Sequence, residues 1–211
     1  MKWAWVLPLS AALLLTACAA EQGPDRVEAL QRRYAESGGC EACVTVEIPR
    51  EEENLRYVLK AQQTAAETRL TLVEPAEVAG ITAVVSGDEK LSLQYEGSVL
   101  DAGSVSPGVS ALNSVSILLR AASEGYVVER SEEVFEGVKA LRLGIETECA
   151  GEKLLCTAFF DEEDCPLYAE LEQDGKILSY LRFTAFSFDG IIAAETGPQN
   201  AEANPGGYYN D

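Results

Sequence analysis

Cys40-Glu41-Ala42-Cys43-Val44-Thr45-Val46-Glu47-Ile48 decides the fold, because its apolar residues recur at every second position. Ala42, Val44, Val46 and Ile48 fall on one face, and Cys43, Thr45 and Glu47 on the other. A period of two marks a strand with one buried face, since successive side chains leave a pleated backbone on opposite sides. The same reading predicts strands at Leu55–Ala61, Thr68–Val73, Ile81–Val85, Leu91–Tyr95, Tyr126–Glu129, Val138–Cys149, Leu154–Phe160, Leu167–Leu171 and Ile177–Phe188. Pro75, Gly80, Ser86-Gly87-Asp88, Gly97 and Asp174-Gly175 separate them, and Asp-Gly is a strong two-residue hairpin signal. Short strands following one another across tight turns form an antiparallel meander.

Two segments leave this period. Val27, Leu30 and Tyr34 stand at helical spacing between Pro24-Asp25 and Gly38-Gly39, which predicts a helix of about three turns. Between Pro107 and Ser123 the residues Val109, Leu112, Val115, Leu119 and Ala122 return to helical spacing, with Ser106 as N-cap and Gly125 just past the end. The first stripe is narrow, so that helix should lie on something, and the stripes of both need a concave cover. No internal repeat is visible.

Outside this core the ends read differently. Lys2, the apolar run Trp3–Leu15 and the small residues before Cys18 have the order of a bacterial lipoprotein export signal, in which Leu15-Thr16-Ala17-Cys18 places the lipid-acceptor cysteine after the cut. The run is too short to span a bilayer, which takes about 20 apolar residues, and Pro8 and Ser10 interrupt it. The expected organisation is a cleaved signal peptide at 1–17, a tether at 18–23 acylated at Cys18 (palmitate among the chains), a folded domain at 24–192 and a disordered tail at 193–211. That tail is rich in Gly, Pro, Asn and Ala, and its Tyr208-Tyr209 pair is read as part of it. The expected location is the extracytoplasmic face of a cell membrane.

Charge and composition narrow the function. The 211 residues carry a formal charge of −19, and removal of residues 1–17, which hold Lys2 and no acid, makes it −20. Such a surface repels phosphate backbones and anionic headgroups, so nucleic acid is excluded as a partner and the membrane is reached through the lipid. Histidine is absent. Ser-His-Asp and Cys-His nucleophile pairs and histidine-ligated zinc therefore fall away, no other nucleophile and base stand together, and the chain is read as a non-enzyme without cofactor.

Five cysteines remain beyond Cys18: Cys40, Cys43, Cys149, Cys156 and Cys165. An exported protein meets oxidising conditions, so disulfides are the default, and at least one of five thiols is left over. Cys149 and Cys156 flank the turn Ala150-Gly151-Glu152-Lys153, where facing strand positions are close enough to bridge, and they are the preferred pair. Cys40 and Cys43 follow a helix end rather than opening a helix, which argues against a redox pair, and the later cysteines lack the close spacing of a zinc ribbon. Glu51-Glu52-Glu53 and Asp161-Glu162-Glu163-Asp164 lack the alternating ligands and internal glycine of a calcium loop and read as solvated turns, so no metal is assigned. Glu146 and Glu148 share one strand face and read as its wet side rather than as a glycosidase pair.

In its order of elements and in several short pieces the chain resembles the LolA-like superfamily of extracytoplasmic lipoprotein-handling proteins. The pieces are Leu72-Val73-Glu74-Pro75-Ala76-Glu77-Val78-Ala79-Gly80-Ile81, Leu91-Ser92-Leu93-Gln94-Tyr95-Glu96-Gly97, Phe159-Phe160-Asp161 leading to Pro166-Leu167-Tyr168-Ala169-Glu170, and Phe183-Thr184-Ala185-Phe186-Ser187-Phe188. The resemblance implies an α+β fold: a curved antiparallel sheet, or incomplete β-barrel, with two amphipathic helices packed on its concave face. It also implies binding rather than catalysis: first of a lipid or lipidated protein in an apolar hollow, with the alternative of a regulatory lipoprotein that binds an envelope protein partner and assists an envelope enzyme or sensor. No ligand-binding residue carries over to a position here.

Overall fold

The computed structural model describes residues 25–86, 90–104 and 109–188. The expected signal peptide, tether with Cys18, and tail lie outside the described residues. Helix α1 (Arg26–Glu36) leads into β1 (Gly39–Ile48), β2 (Leu55–Thr64), β3 (Glu67–Glu74), β4 (Thr82–Ser86), β5 (Lys90–Tyr95) and β6 (Ser98–Ser104). Helix α2 (Ser114–Glu124) then precedes β7 (Tyr126–Phe135), β8 (Val138–Cys149), β9 (Glu152–Phe160), β10 (Pro166–Gln173) and β11 (Lys176–Ser187). The strands form one antiparallel sheet in the order β6-β5-β4-β3-β2-β1-β11-β10-β9-β8-β7. A first meander thus runs outward from β1 to β6. The chain crosses to the far edge through α2 and returns inward from β7 to β11, which pairs with β1. This is the expected α+β architecture, an open curved sheet holding two helices.

Tight turns set the register. Glu96-Gly97, Glu136-Gly137, Ala150-Gly151 and Asp174-Gly175 all have positive φ at both residues, the requirement of the two-residue turn whose twist matches that of the strands it joins. Only Asp174-Gly175 advertises this in its letters. Glutamate before glycine is a poor signal, and the hairpin after Phe135 was therefore missed. So were β6 and the second half of β7, whose Val-Glu-Arg-Ser-Glu-Glu-Val sequence does not alternate cleanly.

The core lies on the face that carries both helices. Leu143, Ala158, Ala169, Leu181 and Val46 form one cross-strand row, and every one is fully buried. Alanine at 158 and 169 leaves room above the sheet for α2, which packs across β8 to β11 and against α1. Helix α2 is shorter than the stripe from Val109 to Ala122 suggests, and Val109 and Leu112 pack on the core from the preceding turn. The expected N-cap, Ser106, lies outside the described residues. Asn113 takes that position, and its Oδ1 accepts from Ser110 N at 2.7 Å. Ser114, Val115, Ile117, Leu118, Leu119, Ala121 and Ala122 are all buried, because the helix is enclosed between sheet and α1 rather than lying on a surface.

Helix α1 buries Val27, Leu30 and Tyr34, the three residues read from its spacing. The Tyr34 ring lies 5.0 to 6.1 Å from those of Phe160, Phe186 and Phe188, and polar contacts add to this packing. Arg26 Nη2, Arg33 Nη1 and Tyr34 Oη donate to the carbonyls of Asp161, Glu163 and Asp164 at 2.9, 2.6 and 2.9 Å. The Asp161–Asp164 turn, expected to be solvated, is instead the dock for α1, and Asp161 Oδ1 stiffens it by accepting from the backbone N–H of Glu163 and Cys165.

Candidate functional site

The concave face is the site that the fold class points to, and its geometry depends on what α2 leaves open. At its C-terminal end the helix is pinned. Gly125 N bonds Ala121 O at 2.9 Å, Gln31 Nε2 of α1 donates to Gly125 O at 2.8 Å, and a Cβ at 125 would stand 2.4 Å from Ile145 Cγ2. Only glycine lets the chain leave the helix this close to β8. Below α2, the apolar cavity shared by Val85, Asn113, Ser116, Ile117, Arg120, Cys149 and Ala150 has a volume of about 50 Å³. Ligand pockets start near 300 Å³, whereas this volume suits a few waters. The Ser116 hydroxyl is buried and has no hydrogen-bond partner among the described residues.

The concave face is not closed along its whole length. A second cross-strand row runs Ala42, Ala61, Leu70, Ala83, Leu93, Leu100 toward the β6 edge. Ala42 through Ala83 are buried, Leu93 is half-buried, and Leu100 is 63 % exposed. Leu91 and Val85, next to this row, are also only half-buried. An apolar strip therefore runs out of the core at the β4–β6 end.

Larger depressions are polar and open. One of about 560 Å³ is bordered by Arg120, Glu124, Tyr126, Glu146, Glu148 and Lys153, so the two glutamates do share an exposed surface, mixed with cations rather than facing each other in an enclosed cleft. On the outer face, Phe135, Phe159 and Tyr168 stack at centroid distances of 4.6 to 6.1 Å, with the Arg182 guanidinium 5.4 Å from the Tyr168 ring. Arg182 also forms a two-oxygen ion pair with Glu136 at 2.7 and 2.8 Å. The sequence reading missed this cluster, whose members come from four strands; the one local signal was Phe159 and Tyr168 at outward positions of two strands expected to pair.

The cysteines do not assemble as expected. Across the β8–β9 hairpin Cys149 faces Glu152 and Cys156 faces Ile145, so Cys149 and Cys156 are not bridged. The turn is Ala150-Gly151 alone, which puts the two residues four steps apart along the ladder, about 13 Å at the usual rise and far beyond the Cα reach of a disulfide. Cys40 points into the core and Cys43 away from it, as alternation along β1 requires. Burial pushes the Cys156 and Cys40 thiols up to about 12 and Cys165 up to about 11, which keeps all three protonated at neutral pH. Among the described residues no three His, Cys, Asp or Glu are placed to hold a metal, and no helix is long and apolar enough to cross a membrane.

No protein-family model matches the chain, and no curated protein matches it. Similar solved structures include an uncharacterized conserved protein from Thermus thermophilus (13 % identity, 81 % of this chain and 92 % of that one, TM-score 0.46). A LolA superfamily protein from Nitrosomonas europaea is similar over 74 % of this chain and 90 % of its own, with 10 % identity and a TM-score of 0.42. Lipoprotein LppX from Mycobacterium tuberculosis is similar over 74 % and 91 %, with 11 % identity and a TM-score of 0.41.

Proposed function

We propose that this chain is a lipid-anchored extracytoplasmic protein that acts by binding an envelope protein partner and catalyses no reaction. The carrying observation is the packing around α2: among the described residues, fully buried side chains of α2 and of the β8–β11 row fill that part of the concave face, and the apolar cavity beside the helix is about 50 Å³. A sheet packed this way stabilises a rigid surface rather than a container. The formal charge of −20 left without residues 1–17 favours a basic partner, through steering that salt screens within about 8 Å at physiological strength. The experiment is capture from cell envelopes on the purified protein at low and high salt. Basic envelope proteins are expected to be retained at low salt and released at high salt, and a partner set indifferent to salt overturns the reading. The anchor is tested separately: labelled palmitate should enter the chain and be lost in Cys18→Ser.

A second reading, binding of a lipid or a lipidated protein, is favoured by one feature, the apolar strip of Leu91, Leu93 and Leu100 that continues from the core to the β6 edge. An acyl chain could lie along it without entering the space under α2. Protein made with Cys18→Ser should then carry co-purifying lipid and take up an acyl probe, and absence of both removes this reading.

A further inference from the structure

We propose that β7 is a self-association edge through which two copies of this chain pair antiparallel, centred on Ser131, to join their sheets. The proposal does not rest on the binding reading above. Among the described residues β7 bonds β8 along one side, and its other edge ends the sheet. An unpaired edge is a template for another strand unless it is blunted. The opposite edge is blunted: in β6, Gly103 has positive φ, Asp101 Oδ1 accepts from Gly103 N at 2.9 Å, and the register with β5 shifts between Leu91 and Ser92. β7 also bulges, at Val128, but it then keeps unbroken register with β8 from Glu129 to Phe135, and along that stretch its edge is guarded by charge alone, at Glu129, Arg130, Glu132 and Glu133.

The charges along that stretch select a second copy as the occupant. Arg130 and Glu132 sit opposite Leu143 and Leu141 and so belong to the concave face; Glu129, Ser131 and Glu133 belong to the outer one. Antiparallel pairing about Ser131 sets Arg130 opposite Glu132 of the second copy, twice over. Within one chain Arg130 already pairs with Asp25, and Arg26 Nη1 lies 3.7 Å from Glu132. Pairing would therefore string Asp25, Arg130, then Glu132 and Arg26 of the second copy into an alternating row, again twice. On the outer face Glu129 meets Glu133 of the second copy, and that repulsion is offset because Arg142 Nη1 holds Glu129 at 2.9 Å. Val134, 70 % exposed in the single chain, reaches the end of the pairing where Val128 of the second copy lies. Cross-strand pairs of opposite charge stabilise a sheet and like pairs destabilise it, so this register is favoured over neighbouring ones.

The test is oxidative cross-linking and sedimentation of the full chain in a mild neutral detergent. Ser131→Cys should give a disulfide-linked dimer above the background of the native thiols, and Ser98→Cys on β6 should not. Arg130→Glu and Glu132→Arg should each weaken association by about tenfold or more, with two like-charge contacts created per dimer. The double variant, which exchanges the two charges, should associate more tightly than either single variant although it sets like charges beside Asp25 and Arg26, and this recovery also shows that neither single variant failed by misfolding. A wild-type chain that stays monomeric up to about 100 µM overturns the proposal. So does a dimer that Ser131→Cys cannot trap, or a double variant that stays as weak as the singles.

Discussion

Two rows of side chains cross the same sheet on the same face and end in opposite environments. The row Leu143, Ala158, Ala169, Leu181, Val46 is sealed throughout, while the row Ala42, Ala61, Leu70, Ala83, Leu93, Leu100 begins buried and ends with Leu100 63 % exposed. Composition does not distinguish them, since both are leucine and alanine with little else. What differs is the helix above: α2 lies over β8 to β11, and no comparable element lies over β5 and β6 among the described residues. The half-buried strip lies at the end of the sheet farthest in strand order from the strands that α2 covers.

The sharpest way to break the comparison is to shave the sealed row's cover. Leu118 is fully buried on α2, and Leu118→Ala should cost about 3 kcal/mol by loss of apolar contact and opening of a cavity. Chemical denaturation read by circular dichroism checks it. A cost below 1 kcal/mol would mean that α2 is not packed as described.

Much of this was legible beforehand. The period of two from Cys40 placed β1 and its buried face, and Val27, Leu30 and Tyr34 placed α1, because both patterns are local consequences of backbone geometry. The order of elements, taken with the resemblance, pointed to the architecture. The supposed bridge between Cys149 and Cys156 failed for want of one fact, the turn length: a two-residue turn at Ala150-Gly151 slides the two cysteines apart along the ladder. The role of the Asp161–Asp164 turn was hidden because α1 is bound by its backbone carbonyls, which no residue type announces. The half-open strip was equally invisible. Leu91 and Leu93 alternate as well as Leu70 and Leu72 do, yet the first pair is half-buried and the second buried.

An alkaline titration sharpens the comparison next. Cys156 lies on β9 in the sealed half, and desolvation raises its thiol from the ordinary 9.0 to about 12, as burial also does for Cys40. A thiol whose pKa is higher folded than unfolded favours folding in its neutral form. Its contribution is therefore whole below about pH 9 and is lost as pH rises toward 12, at about 1.4 kcal/mol per unit of pH for each such group. The melting temperature should fall steadily above pH 9, less steeply in Cys156→Ala than in the wild type. In native protein at pH 8 iodoacetamide should modify Cys43, which faces away from the core, and leave Cys156 untouched until the chain unfolds. Equal slopes, or early labelling of Cys156, would show that the sealed row opens on its own.

The smallest expected effect on stability falls at the open end, and for that reason it is the most informative about function. Leu100 has few neighbours to lose, so Leu100→Ala should change stability by no more than about 0.5 kcal/mol. If the strip serves as a seat for apolar ligands, the same substitution should nonetheless weaken uptake of an acyl probe several-fold, because an exposed leucine contributes apolar contact area to a ligand while contributing almost none to the fold. Leu118→Ala predicts the reverse: a large loss of stability, with probe uptake unchanged or raised as α2 loosens. Measured side by side, the two variants separate a surface that binds from a core that merely holds the sheet. If Leu100→Ala leaves probe uptake at the wild-type level, the strip is only the unfinished margin of the core, and the protein-partner reading stands alone.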